Sequence, residues 1–320
     1  IHTIARYYNT NEQMTGLLAK ITTSMIKTCK RTIMNLKYAR RGEQPKKGSM
    51  PNDSELWKSE NDYPPDELIP VLHACIELNE AYQHQYNFTK ERLMNMPKGK
   101  QFDFSTQQIF GRFDLFCRRV RKLKELFGTI QQFHTLGQHK LEGIDGIITK
   151  FKKHVSNFRN MNHKLLDFSQ NTFDRDFVAF NVQISMVEND LQAYIQSKFE
   201  QDMSILEYLK LLRKFKSILH RENLAGSLNS KYQIVFQHYG REIHKIERIY
   251  QDQKSGPTQI CRNMPSASGA IAWARHLFNR LAVPMEQFPQ SLITQTQSKK
   301  FVKQYNKVGY TLFSYEYLWR

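Results

Sequence analysis

Apolar residues recur at helical spacing along nearly the whole chain, and the clearest run lies between Ile109 and Phe133. Ile109, Phe113, Phe116, Val120, Leu123, Phe127 and Ile130 follow one another at intervals of 4,3,4,3,4,3. That spacing places them in one stripe on a helix for about three heptads. Ser105 and Gln108 stand just ahead with the spacing of a capping box. Arg112, Arg118, Arg119, Arg121, Lys122 and Lys124 occupy much of the remaining surface. The pattern predicts a packing helix, buried along one side and cationic around the other.

Similar stripes flank it. Leu18, Ile21, Met25, Cys29, Ile33 and Leu36 predict a first helix ending near residue 40. Pro64, Pro65, Asp66 and Glu67 open a second, which runs through Leu68, Leu72, Cys75, Leu78 and Tyr82 to about Met94. Proline suits the first helical position, and carboxylates there complement the helix dipole. Between the two, residues 42–64 carry polar breakers and no stripe, so a mobile loop is expected there, pinned locally by Trp57. After Gly137 a weaker pattern predicts a helix from about His139 to Phe168, interrupted by Gly143 and Gly146. Phe177, Phe180, Ile184, Val187, Leu191 and Tyr194 mark the next helix, begun by NTFDRD. A short one follows through Leu209, Leu212 and Leu219, then a long one through Leu228, Tyr232, Val235, Tyr239, Ile243 and Ile246. KSGP and NMPSASG break the chain before a helix ending near Phe288, and a last helix starts near Leu292. Gly309 interrupts the helix-favouring composition of that last segment. Helices of this length joined by short turns pack as antiparallel neighbours. The fold class expected is all-α, an elongated array of consecutive antiparallel helical bundles. Residues 1–97 form a first bundle, 98–256 the central long-helix bundles and 257–320 the start of a further one.

Charge narrows the partners. The chain carries 47 Lys and Arg against 30 Asp and Glu, a net charge of +17. Such a field suits nucleic acid, anionic membrane or an acidic protein surface. The basic residues are spread over every helix instead of forming one groove. Most of the 21 Phe fall at helical spacing, which assigns them to cores and not to a base-stacking platform. No apolar run approaches the ~20 residues of a membrane span, and no signal-like segment occurs. Neither nucleic acid nor membrane is therefore expected as a partner. Cys29, Cys75, Cys117 and Cys261 form no CxxC pair, the usage of buried thiols in a reducing compartment.

Catalytic signatures are missing from the sequence. Gly99-Lys100 is followed by Gln101 and lacks an upstream glycine, so no phosphate-cradling loop is present. There is no HExxH and no GxSxG, and His134 and His139 are ordinary surface or interhelical histidines. Asp174 and Asp176 fit a helix start better than an acid/base couple. No catalytic, cofactor-binding or metal residue is assigned. Arg118, Arg119 and Arg121 are the candidate docking cations for an acidic partner. Trp273, with Trp319, is a candidate aromatic anchor, although core burial is the commoner place for tryptophan.

Several stretches resemble the N-terminal tail region of dynein heavy chains. They are RYYNTNEQMTGLLAKITTSMIKTCK (6–30), PKGKQFDFSTQQIFGRFDLFCRRVRKL (97–123), NTFDRDFVAFN (171–181), FKSILHREN (215–223) and NMPSASGAIAWARHLFNRLAVPMEQF (263–288). The Phe-Gly-x-Phe-Asp-x-Phe-Cys-x-Arg core is the most specific of these. KGKQFDF and FDRD look most like an axonemal outer-arm heavy chain of the gamma type. The chain opens on Ile1 and stops at Arg320 inside a helical pattern, as a piece of something longer would. The resemblance implies a non-catalytic tail segment of a microtubule motor of cilia and flagella. It implies other dynein heavy chains, intermediate chains, light chains and docking-complex proteins as partners. It also implies that ATP and Mg belong only to the motor region of the parent chain.

Overall fold

Pro65 takes the first helical position of a helix that runs from Pro65 to Met94, with Asp66 and Glu67 in its first turn, as the local chemistry dictates. The computed structural model describes residues 8, 10–41, 57, 64–95, 104–201, 203–219, 221–256, 264–288 and 298–320. Among them it holds nine α-helices and no strand. These are α1 (Asn11–Arg41), α2 (Pro65–Met94), α3 (Thr106–Gln138), α4 (Asp145–Asn160), α5 (Thr172–Phe199), α6 (Ile205–Lys214), α7 (Glu222–Gln253), α8 (Ser266–Glu286) and α9 (Lys299–Leu318). The expected mobile loop 42–64 lies outside the described residues except for Trp57 and Pro64, as does the expected start of the last helix near Leu292. Trp57 is buried against Phe127 and Phe158, at centroid distances of 5.3 and 6.3 Å.

The chain divides into two compact units, Ile1–Val187 and Glu188–Arg320. The division falls inside α5; the boundaries expected at 97/98 and 256/257 fall on residues outside the described ones, Gly256 apart.

In the first unit α2 runs antiparallel to α3. Asp66 bonds Gln131 at one end, Asn79 donates to Asp114 at 2.8 Å in the middle, and Tyr82 meets Phe110 at the other end. The α1 helix runs parallel to α3: the Thr22 hydroxyl donates to the Ile109 carbonyl at 2.9 Å, and Ile33 lies by Leu123. The α4 helix returns antiparallel along α3, with Phe133 stacked on Phe151 at 4.1 Å and Gly137 facing Ile148. The first part of α5 then runs parallel to α3, joined by Lys122 to Asp174 and by Asn181 to Glu125.

The second unit repeats the arrangement around α7. The end of α5 runs parallel to α7, through Glu188 with Arg221 and Gln196 with Lys231. Between them α6 runs antiparallel to α5, with Tyr194 near Phe215 and Phe199 stacked on Tyr208. The α8 helix is antiparallel to α7, pairing Glu242 with Arg280 and Tyr250 with Trp273. The α9 helix is parallel to α7, pairing Tyr239 with Phe301 and Glu247 with Lys307. Each unit is thus two up-down-up trios sharing one long helix, α3 in the first and α7 in the second.

That sharing explains where burial departs from the single stripe. Ile109, Phe113, Phe116, Val120, Leu123 and Phe127 are all buried, while Ile130 is only half-buried. Phe110, Cys117, Leu126, Phe133 and Leu136 are buried as well, because α3 must satisfy neighbours on two sides. Ile21 and Leu78, expected inside, are exposed, and Thr22 and Asn79 are buried in their place. Both polar groups face α3 because α3 supplies acceptors for them, the Ile109 carbonyl and the Asp114 carboxylate.

Two local expectations fail. Ser105 starts α3 without a side-chain cap, whereas Ser204 and Glu207 form a capping box at α6. The helix expected over 139–168 shrinks to Asp145–Asn160. Positive φ at Lys140 and Gly143 makes a turn before it, and Asn162 at φ 49° ends it. Helix α9 continues through Gly309, which is buried against α8. A Cβ there would meet Leu281 at 3.5 Å and Phe278 at 3.8 Å, which is ordinary contact.

Candidate interaction surfaces

The three candidate arginines of α3 part company in the structure. Arg119 is 2% exposed, so it is not on the cationic face. Its Nη1 donates to the Asp167 carbonyl at 2.8 Å, and its Nη2 to the Gln170 carbonyl at 2.8 Å and to Asp174 Oδ2 at 3.0 Å. The guanidinium also lies 4.4 Å above the Phe173 ring. Arg119 therefore clamps the turn between α4 and α5 onto α3, a task that suits the planar fork of arginine. Lys122 completes the pair with Asp174 Oδ1 at 2.8 Å. Burial raises the Asp174 carboxyl, but hydrogen bonds from Lys122 and Arg119 outweigh it and hold the group below the usual carboxylate range.

Arg118 and Arg121 do face solvent. Arg121 pairs with Glu80 at 3.0 Å, both side chains more than half exposed, so the pair contributes little stability and leaves the cation accessible. Trp273 is buried in the second unit, stacked by Tyr250 at 6.1 Å and met edge-on by Tyr315 at 5.5 Å. It is a core residue, and a surface anchor would have to come from elsewhere. Trp319, by contrast, is 41% exposed.

Two apolar surfaces escaped the sequence reading. Val178, Val182 and Met186 stand exposed on α5, opposite its buried stripe. Tyr310, Phe313 and Tyr317 stand exposed on α9, opposite Val308, Leu312 and Tyr315. Both sets recur at helical spacing, so a search for a second stripe out of phase with the first would have found them. Solvent-facing apolar rows of this kind mark contact surfaces more often than scattered single residues do.

Cys29, Cys75 and Cys117 converge from α1, α2 and α3 and are free and buried. Cys75 hydrogen-bonds Cys29, which raises Cys75 and lowers Cys29; burial pushes Cys117 up to about 12. Cys117 Sγ also lies 3.9 Å from the Cys75 carbonyl. Among the described residues no group of three or more His, Cys, Asp or Glu is placed to hold a metal ion. No described helix is long and apolar enough to cross a membrane.

The family profile of the dynein heavy chain, N-terminal region 1, matches residues 1–320. The chain belongs to the dynein heavy-chain family. It is 36% identical to the dynein gamma chain, flagellar outer arm, of Chlamydomonas reinhardtii over 321 residues, 100% of this chain and 7% of that protein. It is 33% identical to dynein axonemal heavy chain 5 of Rattus norvegicus over 321 residues, 100% of this chain and 9% of the relative. Dynein axonemal heavy chain 8 of Homo sapiens is 30% identical over 318 residues, 99% of this chain and 7% of that one. The chain therefore spans less than a tenth of the length of these heavy chains. It is the N-terminal region of an axonemal dynein heavy chain, and its likeness to the gamma-type outer-arm chain agrees with the motifs at 98–104 and 173–176.

Proposed function

We propose that this region is a non-catalytic assembly segment of an axonemal heavy chain in cilia and flagella. It holds neighbouring heavy chains, intermediate and light chains and docking-complex proteins, and so attaches the motor to the axonemal microtubule. Motor activity, with its ATP and Mg, belongs to other parts of the parent chain. The observation that carries the reading is the match of the entire chain to N-terminal region 1 at 36% identity to an outer-arm heavy chain. Exposed Arg118 and Arg121 add a cationic face that steers acidic partners, which speeds encounter more than it adds affinity.

The test is a full-length heavy chain lacking residues 1–320. Its ATPase activity is expected to persist while its incorporation into the arm is lost. Normal arm assembly by the shortened chain would end the proposal. A second variant, Arg118→Glu with Arg121→Glu, is expected to slow incorporation and weaken its salt dependence. Unchanged incorporation would remove this face of α3 from the docking surface.

A further inference from the structure

An open cleft of about 630 Å3 lies in the second unit, between the first turn of α6, the middle of α7 and the second half of α8. Its size is that of ligand pockets generally, about 300–1,000 Å3. Helix lengths create it. The α6 helix has 10 residues and starts beside His238, with Tyr208 5.8 Å from that ring, whereas α7 has 32 residues and continues past that point. Beyond the start of α6, no described helix covers the surface of α7 from Arg241 to Lys245, and α8 forms the opposite wall.

The lining has two characters. Ile205 and Leu206 of α6 and Val283 of α8 give an apolar floor, with Val283 exposed. Arg241, Lys245 and Arg280 stand around it against one carboxylate, Glu242. Glu242 is already committed: Arg280 Nη2 donates to its Oε1, and Lys245 Nζ lies 3.7 Å from its Oε2. Arg241 has no carboxylate partner among the described residues. Among the described lining residues, three cations against one carboxylate leave two positive charges in surplus over a partly exposed apolar floor.

We propose that this cleft is a docking groove for an extended acidic peptide segment of a partner protein. The segment lays one aliphatic or aromatic side chain on Ile205, Leu206 and Val283, and sets carboxylates against Arg241 and Lys245. Charge complementarity selects that occupant. An inorganic anion would engage the cations and leave the floor wet, and a second copy of this chain, itself at +17, would be repelled. Apolar contact supplies the affinity, and the surplus charge supplies orientation and encounter rate. The inference rests on the assembly reading and gives one of its contacts a location and a chemistry.

The test uses the full-length heavy chain and a fluorescein-labelled peptide of alternating glutamate and leucine, followed by fluorescence anisotropy. Arg241→Glu with Lys245→Glu is expected to weaken binding by about tenfold, the scale of losing charged contacts at an interface. Val283→Asp is expected to weaken it comparably. Lys152→Glu with Lys153→Glu, exposed on α4 in the first unit, makes the same change of charge and is expected to leave it unchanged. An equal loss in that control would show a general basic field and overturn the groove. So would indifference to Val283→Asp together with displacement of the peptide by inorganic phosphate, the behaviour of a simple anion site. Lys245→Glu alone, at a side chain 71% exposed, gives a reading even if the double variant folds poorly. If the peptide fails to bind while the chain lacking residues 1–320 still fails to assemble, the groove is refuted and the assembly reading stands. If that shortened chain assembles normally, the reading itself fails.

Discussion

Replacing Arg119 by alanine is the sharpest test of the first unit. The substitution removes the donors to the Asp167 and Gln170 carbonyls and one of two partners of Asp174. Removing one member of a buried pair costs about 3–5 kcal/mol, chiefly because the other is left charged and alone. Here Asp174 keeps Lys122 and is 31% exposed, so that part of the loss falls at the low end. Two carbonyls deprived of donors add about 1–3 kcal/mol each where water cannot replace them. Against this, the Arg119 Nε–H has no acceptor, and its burial cost is relieved by the substitution. With water replacing part of the lost donors and the Nε–H relieved, the loss expected is at least about 3 kcal/mol. Urea unfolding of the first unit measures it, and hydrogen exchange of the amides of residues 161–171 localises it, since the turn should lose protection first. Arg119→Lys should recover little, because an ammonium cannot reach two carbonyls and a carboxylate in one plane. Arg118→Ala, on the exposed side of the same helix, should change stability by less than ~0.5 kcal/mol. A loss below ~1 kcal/mol for Arg119→Ala, with unchanged exchange over 161–171, would refute the clamp.

Phe116 is fully buried, edge-on to Phe168 at 5.9 Å; Phe116→Ala should cost about 3–5 kcal/mol in the same unfolding assay. Gly309→Ala should stabilise the second unit by about 0.5–1 kcal/mol, since the new Cβ meets only ordinary contacts in α8 and the helix gains propensity; a lower thermal midpoint would contradict the packing described. Asp174 has a folded pKa held below its unfolded value, so its contribution is present above about pH 4, the ordinary carboxylate range, and is lost as pH falls through the lowered value. Asp174→Asn should therefore flatten the acid limb of a stability–pH profile, and an unchanged slope would count against the pair.

Periodicity is a local property, and it determined a good deal. The 3,4 spacing of apolar residues was enough to place α3, α5 and α7, because a helix repeats every 3.6 residues whatever it packs against. The proline pair and two carboxylates located the start of α2 to within a residue. Family membership was legible for the same reason, since motifs such as that at 110–119 are short, contiguous runs. What a helix packs against is not local. Which arginine of α3 turns inward depended on a turn some fifty residues away whose carbonyls needed a donor; Arg119 meets Gln170 across 51 positions, while Arg118 one residue earlier stays in water. Trp273 reads the same as any interfacial tryptophan until Tyr250 and Tyr315 enclose it. The second buried face of α3, the convergence of Cys29, Cys75 and Cys117, and the cleft past the start of α6 likewise arise from helices meeting in space. The sequence alone decided which residues form helices and along which stripe. Only the tertiary structure decided which charges those helices bury and which surfaces they leave open, because burial is set by neighbours distant along the chain.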